Sequence, residues 1–337
     1  MSEIEQPPPQ RLLRLITGYW VTQLIHVAAR LEIADRLAAG PRTSDALAAE
    51  CGVRPRELHR VLRALASEGL FTEVAPRTFA VTLLGELLQK ERPGSLHARA
   101  LISGAKDYTA WGALLHSVQT GEPAFDHVFG EDHFHWLPRH PEMAAAFHET
   151  MTQLAAQYYR AVVDAFDFGR FRCVVDVGGG HGQLLALILA KHPHLRGILF
   201  DAPHVIAGAG GPLREAAVAD RCELCSGNFF ESIPVGGDAY VMSHILHDWD
   251  EEPAGRILRT MRRTMDSSAR LLIVEKIIPP GNDASFSKLM DVHMLVLTGG
   301  LERTEAEFRD LLAKTGFRLE SVTPTASFMS VIEAVPV

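Results

Sequence analysis

The spacing of hydrophobic and polar positions changes character along this chain. From Leu12 to Leu37 apolar residues recur at helical intervals but on more than one face: Leu12, Leu15, Ile16, Tyr19, Trp20, Leu24, Val27, Ala28, Leu31, Ile33 and Leu37. The pattern predicts one long helix, weakest at Gly18. A helix apolar nearly all round must be covered on several sides, so a partner chain is expected against it. The polar, proline-rich start, Met1–Pro9, reads as a loose tail. Thr43–Val53 reads as a short helix capped by Thr43 or Ser44. Pro55 opens another that runs to about Glu68 and is closed by Gly69. Leu70–Val74 and Thr78–Val81 then read as two short strands around Ala75-Pro76-Arg77. Helix, turn, helix and hairpin predict a winged helix, and residues 1–95 form a first, mostly helical domain.

Residues 96–165 are also mostly helical and rich in large apolar groups, among them Tyr108, Trp111, Phe125, Trp136, Met151 and Tyr158. They are expected to link the two ends of the chain and to help line a pocket. From Phe171 the rhythm shortens. Strands are predicted at Cys173–Val177, Gly197–Asp201, Cys222–Ser226, Ala239–Ser243, Leu271–Ile277, Arg318–Thr323 and Phe328–Ala334. Helices fall between the first five, and Thr304–Thr315 precedes the last pair. Such alternation predicts an α/β fold with a mostly parallel, doubly wound sheet over residues 166–337.

The centre of that domain is VVDVGGGHG at 174–182. An acid, Asp176, lies near the end of the first strand, and Gly178, Gly179, Gly180 and Gly182 turn the chain into a helix. A second acid, Asp201, ends the next strand, where a carboxylate can accept hydrogen bonds from ribose hydroxyls. The dinucleotide pattern G-x-G-x-x-G fails because Gln183 stands in its third glycine place, and no Lys-Ser/Thr follows to make a phosphate loop. Glycines flanked by acids suit a nucleoside without phosphates, and S-adenosylmethionine, with its sulfonium and ammonium, is such a ligand.

Composition narrows the field. The chain has 337 residues, a net charge of −8, 47% hydrophobic and 22% charged residues, which fits two ordinary globular domains. Pro41–Arg92 carries eight basic and seven acidic residues, a weak footprint for a nucleic-acid reader. No apolar run reaches transmembrane length and the start lacks a signal pattern, so no membrane partner and a cytoplasmic location are expected. Cys222 and Cys225 form a lone C-x-x-C without a second pair, which reads as thiols rather than zinc ligands.

After the fourth strand comes Ser243-His244-Ile245-Leu246-His247-Asp248-Trp249. Ligands of open α/β sheets sit beyond the carboxyl ends of the strands, so His247 is placed at the mouth of the glycine-loop crevice. Its ordinary pKa of about 6.5 suits a general base. Glu275, ending the fifth strand, and Glu302, in a turn before a helix, are the two acids that can orient it. His244 and His247 lack a third metal ligand, so no metal is expected.

Together these motifs resemble the S-adenosylmethionine-dependent small-molecule O-methyltransferases of the plant caffeate and acetylserotonin type, above all their bacterial natural-product branch. The resemblance rests on VVDVGGGHG, FDAPHV at 200–205, GNFFESIP at 227–234, HILHDWDEE at 244–252, VEKIIP at 274–279 and GGLERTEAEF at 299–308. It implies a class I methyltransferase sheet behind a winged-helix homodimerisation domain, and S-adenosylmethionine leaving as S-adenosylhomocysteine. It further implies that Asp176, Gly178, Gly180, Asp201, Asn228, Phe229 and Ser243 serve the cofactor. His247 is then the base, flanked by Glu275 and Glu302. Met151, Asp248, His293 and Met294 fall on the side of a small aromatic acceptor. The family often has Asp where Asn228 stands, and its plant members Lys-Trp where Ser243-His244 stand. The intact HDW favours a hydroxyl acceptor. The readings left beside this one are transfer to a ring nitrogen, a ligand-sensing winged-helix regulator, and a nicotinamide enzyme, the last opposed by the glycine spacing.

Overall fold

The structure, a computed structural model, describes residues 7–337. The tail expected at Met1–Pro9 lies for the most part outside the described residues. The chain forms two compact units, one made of residues up to Gly112 with Phe134–Gln153, the other of Ala113–His133 with Leu154–Val337. The linking segment foreseen at 96–165 is thus shared out. Helix His97–Ile102 packs on helix Gly18–Arg30, whereas helices Leu114–Thr120 and Ala124–Phe129 pack on helix Phe286–Leu297. Apolar spacing marks each helix but does not say which neighbour it buries against. Helix Pro141–Ala165 passes from the first unit to the second.

In the first unit the single helix expected over Leu12–Leu37 is three: α1 (Pro8–Ile16), α2 (Gly18–Arg30) and α3 (Ile33–Arg36). Thr17, whose hydroxyl donates to the Leu13 carbonyl at 2.8 Å, ends α1. Glu32, at φ +53°, turns the chain before α3. The winged helix follows: β1 (Arg42–Thr43), α4 (Ser44–Cys51), α5 (Pro55–Ser67), β2 (Phe71–Ala75) and β3 (Thr78–Val81), with β3 between β1 and β2. Thr43 is the cap of α4, accepting from the Ala46 amide at 3.2 Å. The core of this unit gathers Ile33, Leu37, Leu47, Leu62, Leu65, Phe71 and Phe79. Leu12, Leu13, Leu15, Ile16, Tyr19 and Trp20 of α1 and α2 stay exposed.

The second unit carries a seven-stranded sheet of β4 (Cys173–Val177), β5 (Arg196–Asp201), β6 (Cys222–Ser226), β7 (Ala239–Ser243), β8 (Arg270–Glu275), β11 (Phe317–Pro324) and β12 (Ser330–Pro336), in the order β11-β12-β8-β7-β4-β5-β6. β4 to β8 run parallel, and β12 runs antiparallel between β8 and β11. Alternate residues of the inner strands enter two cores. Val174, Val241, Leu272 and Val274 join Phe168, Leu185 and Leu189 on one face. Val175, Tyr240, Met242, Leu271 and Ile273 join Ile257, Met261, Phe308 and Leu312 on the other. Burial on both faces is why these strands read as nearly continuous apolar runs. The strand foreseen at Leu271–Ile277 divides: β8 stops at Glu275, and β9 (Ile277–Ile278) pairs with β10 (Arg303–Thr304) in a separate two-stranded sheet. The strand foreseen at Phe328–Ala334 starts only at Ser330, because residues 325–329 form a turn held by the Thr325 and Ser327 hydroxyls. Asp201, Ser226, Ser243 and Glu275 end their strands, so polar side chains gather at one edge of the sheet. Among the described residues no helix is long and apolar enough to cross a membrane.

Candidate active site

The glycine loop leaves β4 with Gly178 at φ +71° and Gly180 at φ +58°, a conformation that side-chain-bearing residues adopt only under strain. A Cβ on Gly178 would stand 2.4 Å from Ile245 Cδ1, while the space beside Gly180 is open. Asp201 clamps the loop: Oδ2 accepts from the Gly180 amide at 2.8 Å and Oδ1 from the Ala202 amide at 2.6 Å. Asp176 is 1% exposed, and its carboxylate makes no well-formed hydrogen bond, the Leu185 amide being the one donor near enough to favour its ionised form. Burial, with Asp201 adding repulsion, pushes its pKa up to about 7. A buried acid without a partner is costly, and beside an open glycine cradle it suits a cationic ligand. Asn228 is engaged locally, its Oδ1 accepting from the Phe230 amide and its Nδ2 donating to Glu231, both at 3.0 Å. That oxygen retains one lone pair. Phe229 Cε1 would stand 3.8 Å from a Cβ on Gly178. The Ser243 side chain is buried at the end of β7. Tyr159, which sequence reasoning did not single out, lies close enough to Asp176 and Ser243 to feel both, and burial raises its phenol to about 12.

His247 sits in the short turn Leu246–Asp248 after β7. Its Nδ1 lies 3.1 Å from Glu302 Oε1, and its Nε2 lies 3.6 Å from Asp248 Oδ1. The same Glu302 oxygen receives Lys276 Nζ at 3.3 Å, and both of these side chains are almost wholly buried. Glu275 is used differently from the expectation that it would flank the imidazole. Its Oε1 accepts the backbone amides of Ile245 at 3.2 Å, Leu246 at 2.7 Å and His247 at 3.2 Å. Three amides converge on it because the turn after β7 leaves them without carbonyl partners. Glu275 therefore fixes the backbone under His247, and Glu302 alone bonds the ring.

Arg303, fully buried, holds the same turn from below, donating to the carbonyls of Leu246 and Trp249 at 3.0 Å each. Gly300 is needed for space: a Cβ there would stand 2.1 Å from the His247 carbonyl oxygen. Lys276, Gly300 and Arg303 all lie inside motifs visible in the sequence, yet nothing local marked them as functional.

Burial alone would lower the pKa of His247, but Asp248, Glu302 and Glu275 outweigh it and hold the ring above the ordinary imidazole range. Burial would raise Glu302, yet the hydrogen bond to His247 and the charge of Lys276 keep it below the usual carboxylate range. Burial raises both Glu275 and Asp248. His244, at φ +56°, is driven well below its usual value by burial, then by Lys276 and His247. Two imidazoles 5.1 Å apart are thus pushed in opposite directions, and of the two His247 has a carboxylate on its ring. His293 and Met294 are buried on helix Phe286–Leu297, which leads into the Glu302 turn. Met151 belongs to the first unit, where it is exposed.

A mostly parallel sheet of this order, with a glycine cradle and a carboxylate–imidazole pair at its carboxyl edge, is the architecture of a class I S-adenosylmethionine-dependent methyltransferase. Comparison with known proteins agrees. The O-methyltransferase domain matches residues 111–318, and the O-methyltransferase dimerisation domain matches residues 13–91. The chain is 48% identical over 326 residues to the phenazine O-methyltransferase PhzM of Lysobacter antibioticus, covering 97% of this chain and 96% of that one. It matches the crystal structure of LaPhzM with a TM-score of 0.91 at 48% identity, covering 98% of this chain and all of that one. NcsB1, an O-methyltransferase of neocarzinostatin biosynthesis solved with S-adenosylmethionine and 2-hydroxy-5-methyl naphthoic acid, matches with a TM-score of 0.81 at 30% identity over 94% of this chain and 96% of that one. The protein belongs to this O-methyltransferase family, and it is a natural-product methyltransferase that uses S-adenosylmethionine.

Proposed function

We propose that this protein methylates a hydroxyl group on a fused-ring aromatic acceptor, with His247 as general base. The observation that carries the reading is the His247 Nδ1–Glu302 contact at 3.1 Å. A carboxylate there accepts a hydrogen bond from Nδ1–H and leaves Nε2 as the proton acceptor. Asp176, Gly178, Gly180 and Asp201 would hold the cofactor, with Asn228 and Phe229 at its adenine and Ser243 nearby. When bound, S-adenosylmethionine supplies an electrophilic methyl group and leaves as the homocysteine product. A phenol, with a pKa of about 10, is scarcely ionised at neutral pH. His247 removes its proton as the oxygen becomes nucleophilic, and Glu302 stabilises the imidazolium that forms. Lys276 keeps Glu302 ionised, while Glu275 and Arg303 keep the turn in place. Asp248, His293 and Met294 are assigned to the acceptor side, and Met151 by the family resemblance alone.

The names of relatives support both the acceptor class and a second reading. They include phenazine and naphthoate O-methyltransferases, and also a phenazine-1-carboxylate N-methyltransferase of Pseudomonas aeruginosa. Incubation with S-adenosylmethionine and a panel of hydroxylated and aza-aromatic compounds, with mass spectrometry and NMR of the products, decides between them. Methoxyl products support the reading; products methylated only on nitrogen would replace it. We further propose that the exposed apolar face of α1 and α2 is covered by a second copy of this chain. Light scattering should find a dimer, and Leu13→Glu with Ile16→Glu should dissociate it.

A further inference from the structure

The turn that carries Glu302 is held from two sides. On one side lies the base, where the Leu301 amide donates to the His247 carbonyl at 2.9 Å. On the other lies helix Phe286–Leu297, which ends in this turn. The amides of Thr298 and Gly299 both donate to the Met294 carbonyl, at 2.9 and 3.0 Å, and close the helix. Asp291, on the same helix, reaches further along the turn: its Oδ1 accepts from the Glu302 amide at 3.0 Å. A backbone amide in an irregular turn needs an acceptor, and here a helix side chain supplies it. The helix also carries His293 and Met294, both buried, and helices Leu114–Thr120 and Ala124–Phe129 pack on it.

Glu302 depends on its backbone for its place. Its side chain is wholly buried, yet one carboxylate oxygen does all the bonding. Oε1 meets His247 Nδ1 at 3.1 Å and Lys276 Nζ at 3.3 Å, while Oε2 has no hydrogen-bond partner among the described residues. Both contacts lie at the long end of the hydrogen-bond range, so a small outward shift of the Glu302 backbone carries the carboxylate out of reach. Charge does not explain an acid at position 291. Burial raises the pKa of Asp291, and Glu302 and Glu307 repel it, against the Glu302 amide and Arg303, which favour its ionised form. What the turn uses is the acceptor oxygen.

We propose that Asp291 is a positioning residue for the base: by accepting the Glu302 amide it holds the Glu302 carboxylate on His247 Nδ1. It thereby ties the placing of that carboxylate to the helix that carries His293 and Met294. This role rests on the reading of His247 as the base. Asp291 itself touches neither the imidazole nor the reacting atoms, and it acts only through Glu302.

The test compares variants of the full chain by NMR titration of the His247 ring and by the pH profile of kcat. The charged and titratable groups around the ring are Asp248, Glu275, Glu302, Lys276 and His244, and a variant at position 291 removes none of them. Asp291→Leu keeps the shape of the side chain and loses the acceptor; Asp291→Asn keeps both. The Glu302 contact raises the His247 pKa, so Asp291→Leu should lower it and move the acid-side fall in activity to lower pH. Its kcat should drop roughly 2–10-fold, the scale of one hydrogen bond, with KM for the acceptor little changed. Asp291→Asn should retain the wild-type titration and kcat. In a Glu302→Gln background Asp291→Leu should add neither shift nor loss, because both act through one contact. Asp291→Ala, which cannot crowd the turn, is the second variant and should behave as Asp291→Leu does. A lower melting temperature with an unchanged His247 titration would make Asp291 a structural residue only and overturn the assignment. So would additive losses in the double variant, or an Asp291→Asn shift as large as that of Asp291→Leu, since charge and not the acceptor would then matter. The titration needs no turnover, so it separates this role from that of His247. The expected shifts, in a protein whose His247→Ala variant keeps full activity, would support the positioning of the ring and overturn the base instead.

Discussion

The two units differ in where most of their charge is paired. In the winged-helix unit most ion pairs lie at the surface: Arg36 and Arg42 with Glu50, Arg77 with Asp45, Lys90 with Glu32, Arg92 with Glu86. Their side chains keep between 24% and 57% of their exposure. They tie the wing tip to α4 and one helix to the next, and water screens them. In the catalytic unit Asp176, Glu275, Lys276, Glu302 and Arg303 are buried, and each loses hydration that only well-placed partners can replace. The first unit also buries a pair, Lys106 with Asp107, so a buried pair alone does not mark a reaction site; several buried charges gathered around a histidine do. The comparison locates function without reference to any relative: it lies where charge is buried around a histidine.

The largest effect that sharpens this contrast is at His247. His247→Ala should lower turnover roughly 10²–10⁴-fold, the scale for losing a general base. The loss should shrink for an acceptor already ionised at the assay pH. Equal losses on an ordinary phenol and on a strongly acidic hydroxyl would make His247 a positioning group only.

Asp176 comes next. Its folded pKa of about 7 lies above its unfolded value. Burial therefore costs nothing while the carboxyl is protonated in both states, below about pH 4. The cost grows as the pH rises and is complete above the folded value. Asp176→Asn should stabilise the ligand-free protein at pH 8 by about 2–4 kcal/mol, taking 1.36 kcal/mol per pKa unit as an upper guide. It should leave stability at pH 4 unchanged, and it should weaken S-adenosylmethionine binding. Urea melts at the two pH values check the first part and calorimetry the second. A variant less stable at pH 8 would show that Asp176 is satisfied in the free protein.

Glu302 and Lys276 give a smaller effect with a definite sign. His247 must be neutral to act, and its pKa is raised, so activity falls as the pH drops through that raised value. Glu302→Gln removes a charged hydrogen-bond partner and should move this acid limb to lower pH, with a loss of about 1.5–3 kcal/mol in transition-state stabilisation. Lys276→Met leaves Glu302 uncompensated and should move the limb to higher pH, and Lys276→Arg should restore it. NMR titration of the His247 ring in the free protein reads the same shifts without turnover. Shifts in the same direction for Glu302→Gln and Lys276→Met would break the proposed chain of three charges.

The smallest effect belongs to the surface pairs. Asp45→Asn, which releases Arg77 at the wing tip, should leave the acid limb untouched. It should change thermal stability so little that moderate salt hides the difference. A marked shift in activity would contradict the separation of roles between the units.

The sequence by itself determined the strands and the loop. β4 and β7 begin and end where the apolar runs place them, because a strand buried on both faces has to be apolar along its length. The glycine loop, Asp201, His247 and Glu302 were legible too, since parallel topology sends every strand end to one edge. The break of the first helix was only half legible: Gly18 marked its place, but the hydroxyl of Thr17 and the left-handed Glu32 made three helices of it. Only the tertiary structure decided how the acids are used. Glu275 and Glu302 look alike in sequence, each a buried acid near a strand or helix end. One receives three backbone amides from residues about thirty positions earlier, the other an imidazole 55 positions away and a lysine 26 away. Local periodicity fixes which way a side chain faces, but its partner comes from another strand's turn. The division of residues 96–165 between the units was hidden for the same reason: it depends on packing that exists only after the chain has folded.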